Sequence, residues 1–591
     1  MNILGLSAFV HDSAAALVVD GRLVANIEEE RLNRERHTNV FPAGAIAHVL
    51  DAGNLRLDDL HAVAYNWDPW AALRSELTKL LALPVYLKII KYNQPPKHFG
   101  TINATLRLRR AFKNAFGEAP AAQLIWVRHH LAHAAASYYL SPFSNADILV
   151  CDAHGEDCSA TFYRAAGARV TRRFAVPYLN SLGIFYSNFT RFLGFEEFQE
   201  GKTMALAAFG DPRAFAPLLS RVIVLLPGGR FRLQKEYLGW WSYVNGSLAA
   251  EIGEPRQKGD PVEQRHMDLA AGMQARVCEA VLHLIRHEHA QSTSPNLCLG
   301  GGLFLNCTIN QALLASETYE RLFAAPFSSD TGGAVGAALW AALGEGREAF
   351  CDGLPYFSPY TGRSFSDAEI ESAIARAGVA CRLVEEPAVV AAQALAENKV
   401  IGWFQGREEA GPRALGNRSI LANPMTPGIA DRLNREIKLR ETFRPYAPMV
   451  TADAALRFFR LEPPLPELAR YMLLTATVRP EYRDRLPGIT HVDGSSRLQI
   501  VEQLWNPEAY AVLKAFEKLT GFAVVINTSF NRQEPIVSSP ADAIRTFRAA
   551  GLDLLFLGKR MISRDDLEPA TAGASSGHSR RYCRSVANGP R

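Results

Sequence analysis

NILGLSAFVHDSAAALVVDGRLVANIEEE, residues 2–30, alternates apolar runs with tight polar turns, and its reading decides what the first half of the chain builds. ILGLSAF and AAALVVD read as strands parted by the turn His11-Asp12-Ser13, and Asp20-Gly21 joins the second run to RLVANIEEE. Asp-Gly between apolar runs is a hairpin signal, because both turn positions take positive φ. His11 can accept a proton near neutral pH; a merely solvated turn histidine is the alternative.

The 591 residues exceed what one core organises and predict roughly two to four units. Apolar residues make up 48% of the chain and charged ones 21%, which supplies a core and argues against wholesale disorder. A net charge of +4 from nearly balanced acids and bases gives no reason to expect nucleic acid or an anionic membrane as partner. The start lacks a cationic, apolar leader, so a cytoplasmic protein is expected. The eight cysteines include no CxxC pair, which argues against zinc fingers and a disulfide framework.

RHHLAHAAASYYLSPF, residues 128–143, predicts a helix with His129 and His133 on one face, four residues apart. ADILVCDAHGED, residues 146–157, reads as a buried strand ending at Asp152. In APFSSDTGGAVGAALWAA, Asp330 sits at a loop-to-helix junction beside Gly332 and Gly333. Two imidazoles with one or two carboxylates suit iron, zinc or manganese better than calcium. Packing histidines and a helix N-cap at Asp330 are the alternatives. Between these stretches lie EFQEGKTM with Lys202, and PNLCLGGGLFLNCTIN, where a strand, Gly300, Gly301 and Gly302 precede Asn306 and Asn310. Small residues there let a ligand lie against backbone, although no GxxxxGK[ST] loop occurs.

Residues 346–364 are Gly/Pro/Ser-rich and read as a linker. SDAEIESAIARAG then opens a capped helix, and VIGWFQGR is a buried strand leading into GREEAGPRALGNRSIL, residues 406–421. Arg413 and Arg418 in that stretch are joined by Lys438, Arg440 and Arg444, then Arg497, then Asn527 and Ser529 in GFAVVINTSFN. Each cation alone reads more readily as a surface or salt-bridge residue. Gathered in Gly- or Pro-bounded loops, they read as an oxyanion site.

With these motifs in order from about residue 3 to residue 566, the chain resembles the nodulation-factor and antibiotic O-carbamoyltransferases. That resemblance implies an α/β protein: an N-terminal actin-like domain of two ribonuclease-H-like halves (1–345), the linker, a C-terminal YrdC-like domain (365–567) and a disordered tail (568–591). It implies that carbamoyl phosphate and ATP, supplied as Mg-ATP, give carbamoyl-adenylate, whose carbamoyl group passes to a hydroxyl of a small-molecule acceptor. It assigns the base to His11 and a divalent metal, iron first with zinc or manganese open, to His129, His133, Asp152 and Asp330. Lys202, Gly300, Gly301, Gly302, Asn306 and Asn310 would meet the adenylate. Arg413, Arg418, Lys438, Arg440, Arg444, Arg497, Asn527 and Ser529 would hold carbamoyl phosphate and ATP. Asp12 and Arg36 would touch the acceptor; lysine is common in the family where Arg36 stands. The region 66–120 would select the acceptor, and a homodimer stays open. Two rivals remain: a related enzyme of hydrogenase maturation or tRNA modification, and a non-catalytic nucleotide-binding protein.

Overall fold

A computed structural model describes residues 1–81, 104–234, 237, 246–344 and 357–567. Most of the linker, the tail and the middle of the 66–120 region lie outside them. The opening stretch forms β1 (Asn2–Ser7), β2 (Ala14–Val19) and β3 (Arg22–Glu28), an antiparallel meander. Asp20 and Gly21 both take positive φ, at 50° and 82°, as the Asp-Gly signal required. β4 (Ala62–Tyr65) and β5 (Gln123–Trp126) then add in parallel beside β1, giving the order β3-β2-β1-β4-β5.

The pattern repeats. β6 (Asn145–Cys151), β7 (Cys158–Ala166) and β8 (Arg169–Pro177) form a second meander. A hairpin of β9 (Ile223–Leu226) and β10 (Arg230–Leu233) follows. β11 (Asn296–Gly300) and β12 (Arg321–Ala324) then run parallel to β6, in the order β12-β11-β6-β7-β8. A meander flanked by two parallel strands is the ribonuclease-H-like arrangement, and its duplication is the actin-like architecture expected.

The helices His129–Tyr139 and Thr331–Leu343 hold the two sheets together. A Cβ on Gly336 would stand 1.7 Å from the Ala132 carbonyl oxygen, and one on Gly5 of β1 would stand 1.9 Å from that of Ala334. Backbone therefore meets backbone at both contacts, an approach that only glycine allows. It sets the ends of β1, β6 and both helices beside one another.

The remainder forms one nine-stranded mixed sheet. Its strands are β13 (Arg382–Leu383), β14 (Ile401–Phe404), β15 (Arg418–Ala422), β16 (Ala447–Val450), β17 (Leu474–Thr477), β18 (Ser495–Ile500), β19 (Val524–Ser529), β20 (Leu554–Leu557) and β21 (Arg560–Ser563). Their order is β13-β21-β20-β14-β15-β19-β16-β18-β17. Ser366 and Glu369 close the expected capping box of the helix Asp367–Ala377.

Buried polar ties join this unit to the first. The Arg31 guanidinium donates to Glu408 Oε1 at 2.8 Å and to the Gly411 carbonyl at 2.6 Å, while Glu28 Oε1 accepts from Gly411 N at 2.8 Å. Among the described residues, no helix is long and apolar enough to cross a membrane.

Gly336→Ala tests the close approach. It should destabilise by the ~1–3 kcal/mol of an overpacked core or more, because backbone must move. Gly201→Ala is helical and its methyl meets nothing within 4 Å, so it should melt at or above the parent, by up to ~1 kcal/mol of helix propensity. Thermal unfolding of both variants reads the difference.

Candidate active site

His129 and His133 lie one turn apart on their helix, almost wholly buried at 3% and 2% exposure. Asp152 directly follows β6, and Asp330 directly precedes the helix Thr331–Leu343. Asp330 occupies the N-cap position yet accepts no cap hydrogen bond, so its carboxylate is free for other partners. His133 Nε2 lies 3.2 Å from His129 Nε2, 3.0 Å from Asp152 Oδ2 and 3.4 Å from Asp330 Oδ1. His129 Nε2 stands 3.5 Å from the first of those oxygens and 3.3 Å from the second. Ligands about 2.1 Å from a tetrahedral ion stand about 3.4 Å apart, so this donor set fits a small divalent cation. Asp152 Oδ2 is also buried without an aligned hydrogen bond, as befits an atom facing a shared point.

Burial opposes charge on all four groups, but their mutual pairing outweighs it. Asp330 and Asp152 hold the imidazoles of His129 and His133 above the ordinary histidine range, and the imidazoles hold both carboxyls below theirs. Glu156, not anticipated from sequence, braces the arrangement: its Oε1 accepts from His129 N and Asp68 N, both at 2.9 Å. It takes the role that the N-cap residue Arg128, without a side-chain cap, leaves undone.

His11 reaches the same place from the turn after β1. Its Nε2 lies 3.3 Å from Asp330 Oδ2, and its Nδ1 is 3.1 Å from Asp12 Oδ2. A carboxylate only accepts, so Nδ1 carries the hydrogen in that bond. Burial works against protonation of His11, yet Asp330, followed by Asp12, pushes its pKa up to about 9. Asp12 was expected against the acceptor; instead its other oxygen pairs with His37 Nδ1 at 2.7 Å, so it fixes two imidazoles. Arg36 is exposed nearby in sequence.

A second site lies between the two units. Arg413, Arg440, Arg444, Arg497, Asn527 and Ser529 line one cavity, together with Asp493 and His491. Gly201, Met204, Cys307 and Thr308 close it from the N-terminal side. Burial lowers the pKa of Arg413 to about 9, with Arg497 and Arg444 adding repulsion, and that of Arg444 to about 9, with Arg440 adding repulsion. Like charges crowded in this way favour an anion among them.

Two expected anion ligands have other work. Arg418 is wholly buried; it donates to the carbonyls of Gln405 at 2.6 Å, Asn417 at 3.0 Å, Arg363 at 3.0 Å and Gly406 at 3.2 Å, over the Phe404 ring. Lys438 Nζ is spent on Ser529 O, Asn531 O and Asn531 Oδ1 at 2.6–2.8 Å. Both cations shape loops, because carbonyls surround them.

The expected adenylate contacts differ similarly. Lys202 Nζ donates to Glu441 Oε1 at 2.7 Å across the two units. Asn306 caps the helix Cys307–Ala315, accepting from Thr308 N and Ile309 N. Asn310, fully buried, donates to the Phe304 and Leu473 carbonyls, both at 2.8 Å. Gly300, Gly301 and Gly302 pack against His133, Cys151 and Asp152, where a Cβ would come within 3.0, 2.2 and 3.4 Å. They belong to the carboxylate–imidazole centre.

Comparison with known proteins places this geometry. Residues 2–339 match the family described as Carbamoyltransferase N-terminus, and residues 392–564 match Carbamoyltransferase C-terminus. The chain is 36% identical to nodulation protein NolNO of Sinorhizobium fredii, over 95% of this chain and 80% of that one. It is 34% identical to the uncharacterized protein sll1178 of Synechocystis, over 95% and 97%. A solved structure, HypF of T. kodakarensis, aligns with 58% of this chain and 48% of its own at 15% identity and a TM-score of 0.31, too slight a likeness to argue from.

The donor set predicts that the purified protein binds about one divalent metal ion per chain, read by elemental analysis. His133→Ala should abolish stoichiometric metal, and Glu156→Ala should weaken affinity by about 10–100-fold, as loss of an outer-shell brace does.

Proposed function

We infer the chemistry from one premise: the chain belongs to the carbamoyltransferase family and is an enzyme of that family. We propose that it is an ATP-dependent O-carbamoyltransferase working in two steps, one at each site. In the basic cavity, carbamoyl phosphate loses its phosphoryl group as inorganic phosphate, with water supplying the oxygen. The resulting carbamate attacks the α-phosphorus of ATP, so pyrophosphate leaves and carbamoyl-adenylate remains. Arg413, Arg440, Arg444 and Arg497 would hold the anionic groups, with Asn527 and Ser529 at the cavity wall. The observation that carries this reading is the crowding of four arginines in one cavity whose lining includes a single carboxylate, Asp493.

Transfer would take place beside the His129–His133–Asp152–Asp330 set. A divalent ion held there, iron first with zinc or manganese as alternatives, would act as a Lewis acid on the carbamoyl carbonyl. His11, with its Nδ1–H held by Asp12, would take the acceptor hydroxyl proton on Nε2. The Asp330 carboxylate, 3.3 Å from His11 Nε2, favours the protonated imidazole, and a cation held by Asp330 would oppose that effect. Activation as an adenylate makes chemical sense, since an unactivated carbamate is a poor electrophile.

Within this proposal residues 1–345 form the transfer domain and 365–567 a YrdC-like adenylate-forming domain. The acceptor is a small-molecule alcohol, a sugar or other secondary metabolite, and the protein works in the cytoplasm.

The test uses purified protein, ATP, divalent metal and labelled carbamoyl phosphate without acceptor. Label should appear in an adenylate, and pyrophosphate exchange should depend on carbamoyl phosphate. His11→Asn should keep the exchange and lower transfer by about 100-fold or more, whereas Arg444→Ala should lose the exchange. Loss of both activities in His11→Asn would defeat the division between the two sites.

A further inference from the structure

Phe198, in the EFQEGK stretch, has no part in the two sites as described so far. It belongs to the loop between the helices Leu182–Phe192 and Glu200–Ala207, and residues of the second helix line the basic cavity. Its φ of 63° is left-handed, a conformation that costs a non-glycine residue of order 1–2 kcal/mol and persists only where the surroundings impose it. The ring stacks on His37 with centroids 4.1 Å apart and planes at 22°, and its centroid is 5.2 Å from that of His11. Phe192 and Phe195, just before it in the chain, are buried at 1% and 7%, yet Phe198 remains 40% exposed. A strained backbone thus holds an apolar ring open beside the proposed base. Hydrophobic burial does not explain the placement, because so much of the ring faces solvent.

We propose that Phe198 is the platform on which a pyranose ring of the acceptor stacks, presenting a ring hydroxyl to His11. This rests on the reading of His11 as the base. The negative face of an aromatic ring attracts the positively polarised C–H groups on one face of a sugar, while the sugar's hydroxyls point outward from its rim. A rim hydroxyl is then close to an imidazole whose centre is 5.2 Å from the platform. His37 sets the ring plane from behind, and Asp12 ties His37 to His11, so platform and base are aligned through one carboxylate. The half-exposed Glu30, whose Oε2 accepts from His37 N, adds a polar group beside an apolar face. One aromatic face with a few placed polar groups is the usual makeup of a small-ligand site. A nucleobase could stack there too, but its ring offers no hydroxyl to a base.

Saturation-transfer NMR tests this without turnover, using methyl α-D-glucopyranoside as probe and acyclic sorbitol as control, with ATP and carbamoyl phosphate left out. A chain that made no adenylate would therefore still give an answer about Phe198. The ring C–H protons of the glycoside should be saturated by the wild type and by Phe198→Trp, and sorbitol should not. Phe198→Ala and Phe198→Leu should both weaken the effect by about two- to tenfold, the range for loss of one aromatic stack. Phe198→Leu keeps bulk in the loop, so it gives a reading if the alanine variant unfolds. Equal saturation in wild type and Phe198→Leu would overturn the proposal, as would glycoside binding no better than that of sorbitol. A Phe198-dependent effect on adenosine but not on the glycoside would make the ring a nucleobase platform and overturn it equally.

Discussion

The contact of the helix Thr331–Leu343 with two other backbones is the constraint from which the carboxylate–imidazole centre follows. Gly336 meets Ala132 and Gly5 meets Ala334 at distances that leave no room for a Cβ. Elements so close cannot slide, and what they carry at their ends is placed with them: Asp330 at one helix start, His129 and His133 at the other, His11 past the end of β1. Such approach costs apolar side-chain burial at these positions. What it gains is a carboxylate and three imidazoles, those of His11, His129 and His133, close to one another.

Two kinds of cation show how charge is managed elsewhere. Arg418 lies in the core of the second unit; three of its four carbonyl partners come from the connection between β14 and β15, and the fourth is that of Arg363. Arg413 and Arg497 are instead half-buried at the wall of the cavity, and each faces other guanidinium groups. A guanidinium ringed by backbone carbonyls builds structure, while one set beside its like at a cavity wall favours an anion.

This difference also marks how far the sequence could be read. Spacing exposed the histidine pair, because i and i+4 share a helix face, and a strand ending in aspartate exposed Asp152. The Asp20-Gly21 turn was legible because its backbone demand is local. Arg418 and Lys438 were read as anion ligands because a cation's type is written in the sequence and its partners, here largely backbone carbonyls, are not. Asn306 and Asn310 were read as ligand contacts for the same reason. Glu156 carried no signal at all: its work is to accept two backbone N–H groups from segments distant in sequence. Gly5 and Gly336 were silent too, since a close approach pairs residues that no window contains together.

The glycine triplet shows what joins the two sites. Gly302 lies against Asp152, while Cys307 and Thr308 line the arginine cavity. The six steps between Gly302 and Thr308 span at most about 20 Å if extended, and about 12 Å at the rise of a tight helix. The chain here is a short helical turn, Gly302–Leu305, followed by the Asn306 cap. Leu303 and Phe304 anchor the turn in the core, and the amide of Asn310 reaches across to Leu473 in the other unit. The two sites are therefore joined by a short, partly buried piece of chain. Movement of one unit against the other would have to break the Asn310 bond and the Arg31–Glu408 pair together, and both are buried. A fixed spacing would suit the two-step reaction proposed above, because the distance between the sites would not depend on domain motion.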